Sequence, residues 1–247
     1  TDVEARKLAE QAKQEALLKE KEKQTYLKSV VTKESSADEN PGLSRDERLA
    51  LTPRLRIVSD KLHGSISLKG ARFDDLHLAK YRTELRGDSP EVTLLSPNGD
   101  DTAYFVQIGW VASDGKTKVP DHQSLWRADK QSLAAGESTT LSWNNAAGVT
   151  YQMTVTLDAD YMFSITQRVE NKSGNPIEIA PYAYINRAHE TGKQSNSAVT
   201  HEGPIAVAEG ALSEVPYGDL QNKGNKIFDN ASGWFGFTDK YWLTAII

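Results

Sequence analysis

The sequence predicts an all-β fold, a sandwich of two antiparallel sheets, preceded by a charged N-terminal helix. Three observations carry that expectation. Val149–Leu157 alternates strictly: Tyr151, Met153, Val155 and Leu157 are apolar while Gln152, Thr154 and Thr156 are polar, the period of a strand with one dry and one wet face. From residue 54 onward, short turn sequences separate apolar runs, with almost no helical periodicity between them. Residues 1–34 are instead rich in Ala, Leu, Glu, Lys and Gln, the strong helix formers.

Taken in order, residues 1–34 read as a charged helical spacer. Leu8, Ala12, Leu17 and Leu18 make only a thin apolar stripe, with no sustained heptad. Residues 35–53 read as a linker with a turn at Asn40-Pro41-Gly42. Ser44 and Glu47 have capping-box spacing there, which predicts one short helix over 45–51. Residues 54–247 read as the β domain. "LRIVS" and "SISL" flank a turn at 60–64. "TTLSW", Asn145–Gly148 and the alternating stretch make a hairpin. "YMFSITQRVE" and "IEIAPYAYINR" then continue an antiparallel meander. "VTHEGPIAVAEGALSEV" reads as two strands around Glu209-Gly210. The turn-rich segment after it has room for one short helix. The last stretch, "GWFGFTDKYWLTAII", reads as a turn at Thr238-Asp239-Lys240 followed by a strand over 241–247. That strand is apolar on both faces, so it needs a covering layer on each side. It is either buried in the middle of a sheet or belongs to a polypeptide longer than the one in hand.

Composition narrows the function classes. The net charge is -5, which lacks the basic footprint of a nucleic-acid binder. There are 0 cysteines, which removes disulfides, thiolate metal sites and cysteine nucleophiles. No apolar run approaches the length of about 20 residues that spans a bilayer. The first residue is Thr1, which leaves room for an upstream segment. None of the patterns GxSxG, HExxH, Walker A or a strand-linked GxGxxG occurs. His189-Glu190 and His201-Glu202 are the tempting acid–base pairs. Neighbours on a strand point to opposite faces, so only a cross-pair such as His189 with Glu202 could converge. We therefore assign no catalytic, cofactor or metal residues. Among the tryptophans, Trp242 and Trp234 are expected in the core. Trp126, in the polar stretch "DHQSLWRADKQ", is the candidate exposed contact.

The final stretch resembles a segment of the large periplasmic domain of YidC-type membrane-protein insertases. In that family a Gly-Trp opens a strand, a short turn follows, and an aromatic-rich strand leads to Thr-Ala. Gly233, Trp234, Thr238, Asp239, Lys240, Tyr241, Trp242, Thr244 and Ala245 match. "IVSDKLHGSISLKGARFDDLHLAKY" is similar to the family's first strands, through Asp60, Ile66, Gly70, Leu78 and Tyr81. The resemblance covers roughly 54–247. Residues 1–34 match only in kind, as a variable linker.

The resemblance implies a twisted β-supersandwich of galactose-mutarotase type that continues past Ile247 through further strands and a helix. It implies a non-catalytic, periplasmic module of an inner-membrane insertase, anchored by transmembrane helices outside this chain. Implied partners are SecDF, SecYEG and nascent membrane proteins. The alternative is a sugar-binding or sugar-epimerising sandwich, since a fold does not fix a function. Under the insertase resemblance the family motif is structural, with no residue of this chain doing chemistry.

Overall fold

The computed structural model describes residues 42–99, 102–113, 116–188, 201–228, 232–239 and 241–247. Of the first 41 residues it describes 7, 9–18, 21, 25, 29 and 32. Those early residues are helical and exposed, and we call them α1. A second helix, α2 (Arg45–Ala50), sits where the Ser44/Glu47 spacing predicts. Ser44 and Glu47 close a reciprocal capping box there.

Among the described residues three sheets follow, where the sequence predicts two. The first takes β1 (Arg54–Val58), β2 (Leu62–Ser67), β3 (Arg72–Arg82), β4 (Glu91–Leu95), β5 (Tyr104–Ala112), β7 (Ser132–Ala134) and β11 (Ile179–Arg187). Its spatial order is β11-β5-β3-β2-β1-β7, with β4 also pairing β3. The second runs β10-β9-β8-β6, from β6 (Arg127–Ala128), β8 (Ser138–Asn144), β9 (Val149–Leu157) and β10 (Phe163–Asn171). The third runs β13-β12-β14-β15, from β12 (Gly203–Ala208), β13 (Ala211–Glu214), β14 (Gly233–Thr238) and β15 (Leu243–Ile246). A short helix, α3 (Tyr217–Lys223), lies between β13 and β14.

The core forms between the first two sheets. Tyr151, Met153, Val155 and Leu157 are each fully buried, as the alternation of β9 predicts. They meet Leu55, Ile57, Leu62, Ile66 and Leu133 from the first sheet. Aromatic edges interlock across the gap: Phe73 with Phe163 at 5.4 Å, and Trp110 with Tyr151 at 5.3 Å.

The meander expected through 171–187 is broken. β11 leaves β10 and pairs along its whole length with β5, from Ile179 opposite Ala112 to Arg187 opposite Tyr104. Nor is the pairing all antiparallel: β7 lies parallel to β1. The predicted terminal strand is shorter than its sequence suggested. Residues 243–246 pair with β14, and among the described residues β15 is an edge of its sheet.

Trp126 corrects a further expectation. It is 3% exposed and stacks on Trp110, ring centroids 6.2 Å apart. The polar neighbours that suggested exposure are themselves the outward residues. In this extended stretch Leu125 and Arg127 face solvent, and the side chain between them turns into the core.

On the outer face of the first sheet, a bulge interrupts β2 and β3. Ser65 pairs with Asp75, but Ile66 pairs with Phe73, so Asp74 is the extra residue. Gly64 makes room for this close approach, since a Cβ there would lie 2.1 Å from the Asp75 carbonyl oxygen. Both aspartates are buried and paired, Asp74 with Arg54 and Asp75 with Arg45.

Candidate functional site

The family-type motif of the final stretch lies where the third sheet meets the first. β14 and β15 are joined by a turn in which the Asp239 N–H donates to the Trp242 carbonyl at 2.8 Å. The Thr238 hydroxyl donates to the Asp239 carbonyl at 3.0 Å. That closure turns the Asp239 carboxylate back toward β11. There Arg187 Nη2 donates to both of its oxygens, at 3.1 and 3.2 Å. The same guanidinium lies 4.4 Å over the Tyr104 ring.

Tyr104 completes the junction. Its hydroxyl donates to the Phe237 carbonyl at 3.3 Å, and its ring meets the Phe237 ring edge-on. Burial pushes the Tyr104 phenol well above its ordinary range. Burial raises Tyr217 as well, whose ring stacks on Phe237. Neither phenol is therefore poised to lose a proton near neutral pH. The junction is a clamp of one ion pair and three aromatic rings.

The other motif residues are placed as follows. Gly233 and Trp234 open β14, with Trp234 half-buried. Trp242 is half-buried against the core and meets Tyr81 edge-on at 4.7 Å. Tyr241 is 72% exposed. Lys240 lies outside the described residues. The face of the third sheet next to α3 is an open, apolar groove of about 490 Å³. Ala206, Phe235 and Ile246 are among its sheet residues, and Leu220 and Phe228 line it from the segment after β13. Lys226 stands at its rim and donates to the Ser213 hydroxyl at 2.5 Å.

The histidines give no catalytic constellation among the described residues. His189 and Glu190 lie outside them, so the cross-pair with Glu202 is not described. His201 donates from Nε2 to the Pro204 carbonyl at 2.9 Å. The sequence did not single out His77, which lies 3.4 Å from Asp75. Arg45 Nη2 lies 3.0 Å from the same nitrogen, His77 Nε2. No group of three His, Cys, Asp or Glu side chains among the described residues could hold a metal. No helix among them is long and apolar enough to cross a membrane.

Arg187, Tyr104 and Tyr217 were missed by sequence reasoning. The one available signal was Arg187 itself, a lone cation ending the otherwise uncharged strand "IAPYAYINR".

With this geometry in view, comparison with known proteins is decisive. The family model described as the YidC periplasmic domain matches residues 54–247. The chain belongs to this YidC periplasmic domain family. It is 43% identical over 200 residues to a membrane protein insertase YidC of Granulibacter bethesdensis, covering 78% of this chain and 34% of that protein. It is 40% identical over 196 residues to the Rickettsia bellii YidC, covering 79% of this chain and 35% of the relative. Against the Beijerinckia indica YidC it is 36% identical over 252 residues, covering 96% of this chain and 42% of that protein. The match thus spans well under half the length of these YidC relatives.

Proposed function

We propose that this chain is a non-catalytic periplasmic module of a bacterial inner-membrane insertase, assisting the insertion and folding of membrane proteins with or without the Sec translocon. The observation that carries this reading is the YidC periplasmic domain match across 54–247, the span that forms the three sheets. The clamp geometry supports a scaffold over an enzyme, because the phenols and the ion pair at the motif hold two sheets together. Membrane attachment falls to transmembrane helices outside this chain. The partners are nascent membrane proteins and the Sec components SecDF and SecYEG. The domain continues beyond Ile247, and its next segment pairs with the edge of β15 and covers the apolar groove. In support, Phe235 and Leu243 are 42% and 49% exposed, and the relatives are far longer than the match.

Location and partners are tested in the full-length protein. This chain has 0 cysteines, so Leu85→Cys, at a fully exposed position, introduces its one thiol, and any cysteine elsewhere in the full-length protein is first replaced by serine. A membrane-impermeant maleimide should modify it in intact spheroplasts; protection until lysis would place the domain on the wrong side. A photo-crosslinker at Leu212, exposed on β13, should capture Sec components or nascent membrane proteins during insertion. Crosslinks to neither would remove the partner assignment.

A further inference from the structure

We propose that the hairpin tips at one end of the β domain form an aromatic platform that rests on the interfacial zone of the lipid bilayer. The insertase reading, on which this rests, places the domain beside a membrane; the tips identify the surface that faces it. First, turns from all three sheets meet there. Lys61, between β1 and β2, pairs with Asp160, between β9 and β10. Its Nζ lies 5.4 Å over the Tyr161 ring, and its carbonyl accepts from the Ala79 N–H on β3 at 2.9 Å. The Tyr161 hydroxyl is hydrogen-bonded to that of Tyr81, also on β3. The Tyr81 ring in turn meets that of Trp242, between β14 and β15.

Second, the side chains gathered there are exposed and amphipathic. Tyr81 is 44% exposed, Tyr161 39%, Met162 51% and Tyr241 72%. Apolar groups scattered singly over a surface need no explanation, but these adjoin across three sheets. Tyrosine and tryptophan each carry an apolar ring and a polar handle, and they collect where hydrocarbon meets headgroups. The charges around them are mixed: Lys61, Lys80 and Arg82 stand with Asp60, Asp158 and Asp160. Equal numbers of both signs match headgroups that carry both, and give no net pull toward anionic lipid.

Third, the tips are held in shape. The Asp158 carboxylate accepts from the Asp160 and Met162 N–H groups at 2.7 and 3.0 Å. The Ser59 hydroxyl accepts from the Lys61 and Leu62 N–H groups at 3.2 and 2.8 Å. The Asp239–Trp242 bond closes the third turn. The rings are therefore positioned before contact, and little ordering entropy is lost when they settle on a surface.

The test uses the full-length protein in phosphatidylcholine vesicles, with any cysteine outside this chain replaced by serine. A nitroxide is placed through Met162→Cys at the tips. In a second sample it is placed through Leu125→Cys, 59% exposed and bridged to Lys69 at the opposite end of β2. Relaxation by oxygen, which concentrates in lipid, is compared with relaxation by a water-soluble nickel chelate. The oxygen-to-nickel ratio should be higher at Met162 than at Leu125. Tyr81→Ser with Tyr161→Ser should abolish that difference while far-ultraviolet dichroism is retained. If the pair prevents folding, Tyr161→Ser alone, in its turn, should shrink it. Equal ratios, a higher ratio at Leu125, or a difference untouched by the tyrosine substitutions overturns the platform. So does a ratio that rises only with anionic lipid, or only when Sec components are added, which assigns the tips to electrostatic attraction or to a protein partner. The insertase reading fails separately, through protection of Leu85→Cys in spheroplasts. A modified Leu85→Cys together with water-like relaxation at Met162 strikes the platform alone.

Discussion

Asp75 is caught between opposing effects. Its burial favours the neutral acid, but hydrogen bonds from His77, Ser65 and Arg45 outweigh it and hold the carboxyl down at about 2. The folded value thus lies below the ordinary carboxylate value of about 3.9. The stabilisation is complete above about pH 4 and is lost as pH falls through about 2. Asp74 runs the other way, since burial raises it against the pull of Arg54 and Arg72. The clean measurement is therefore the difference between wild type and Asp75→Asn. Their stability gap in denaturant melts should be constant from pH 5 to 7 and close as pH drops from about 4 to 2. Arg187 offers a second single-residue test. Arg187→Ala removes both hydrogen bonds to Asp239 and the stacking on Tyr104, and should cost about 1–3 kcal/mol in the same melts. Arg187→Lys should recover only part of that loss, because a point charge cannot both pair with Asp239 and lie flat on the ring.

Strand β9 shows what a pattern can and cannot carry. Met153→Ala should destabilise by about 2–5 kcal/mol, while Gln152→Ala on the other face should cost under about 1 kcal/mol. That contrast was legible because a half-buried strand writes its two faces into alternate residues. The capped α2 and the β12–β13 turn at Glu209-Gly210 were legible for a similar local reason: φ is 54° at Glu209 and 76° at Gly210, in a tight turn. The departure of β11 was not legible. "IEIAPYAYINR" suits any sheet, and its choice of β5 over β10 depends on partners far away in sequence. Trp126 was misread because flanking polarity averages over side chains that alternate. The clamp was hidden for the same reason as β11: Arg187 and Asp239 meet only through tertiary structure. One element-level substitution probes that junction. A Cβ on Gly236 would sit 2.1 Å from the Thr244 carbonyl oxygen, so Gly236→Val should force β15 away from β14. Hydrogen exchange should then quicken across Leu243–Ile246 while the β9 amides stay protected.

At the scale of the whole molecule, the third sheet is the least enclosed. Its groove is open, and β15 presents an edge among the described residues. Such an edge invites association. A polypeptide extended past Ile247 through the continuation proposed above should melt higher and elute as a sharper monomer than residues 1–247 alone. Equal melting temperatures would show that the groove and edge need no cover. Polarimetry on common aldoses should give no rate above background, and a rate abolished by His201→Ala would revive the sugar-epimerising alternative. The pairing of β5 with β11 also has a kinetic side. The second sheet is built from neighbours in sequence, β8, β9 and β10, so each closes over a short loop. The first sheet must wait for residues 179–187 to return to 104–112 across that entire excursion. Closing a long loop costs more entropy and slows the search. As the chain emerges N-terminus first, the hairpins of the second sheet can form early, while β5 stands with one side unsatisfied until β11 arrives. That interval is when a nascent chain of this kind is most exposed to mispairing, and where a holding factor would act on it.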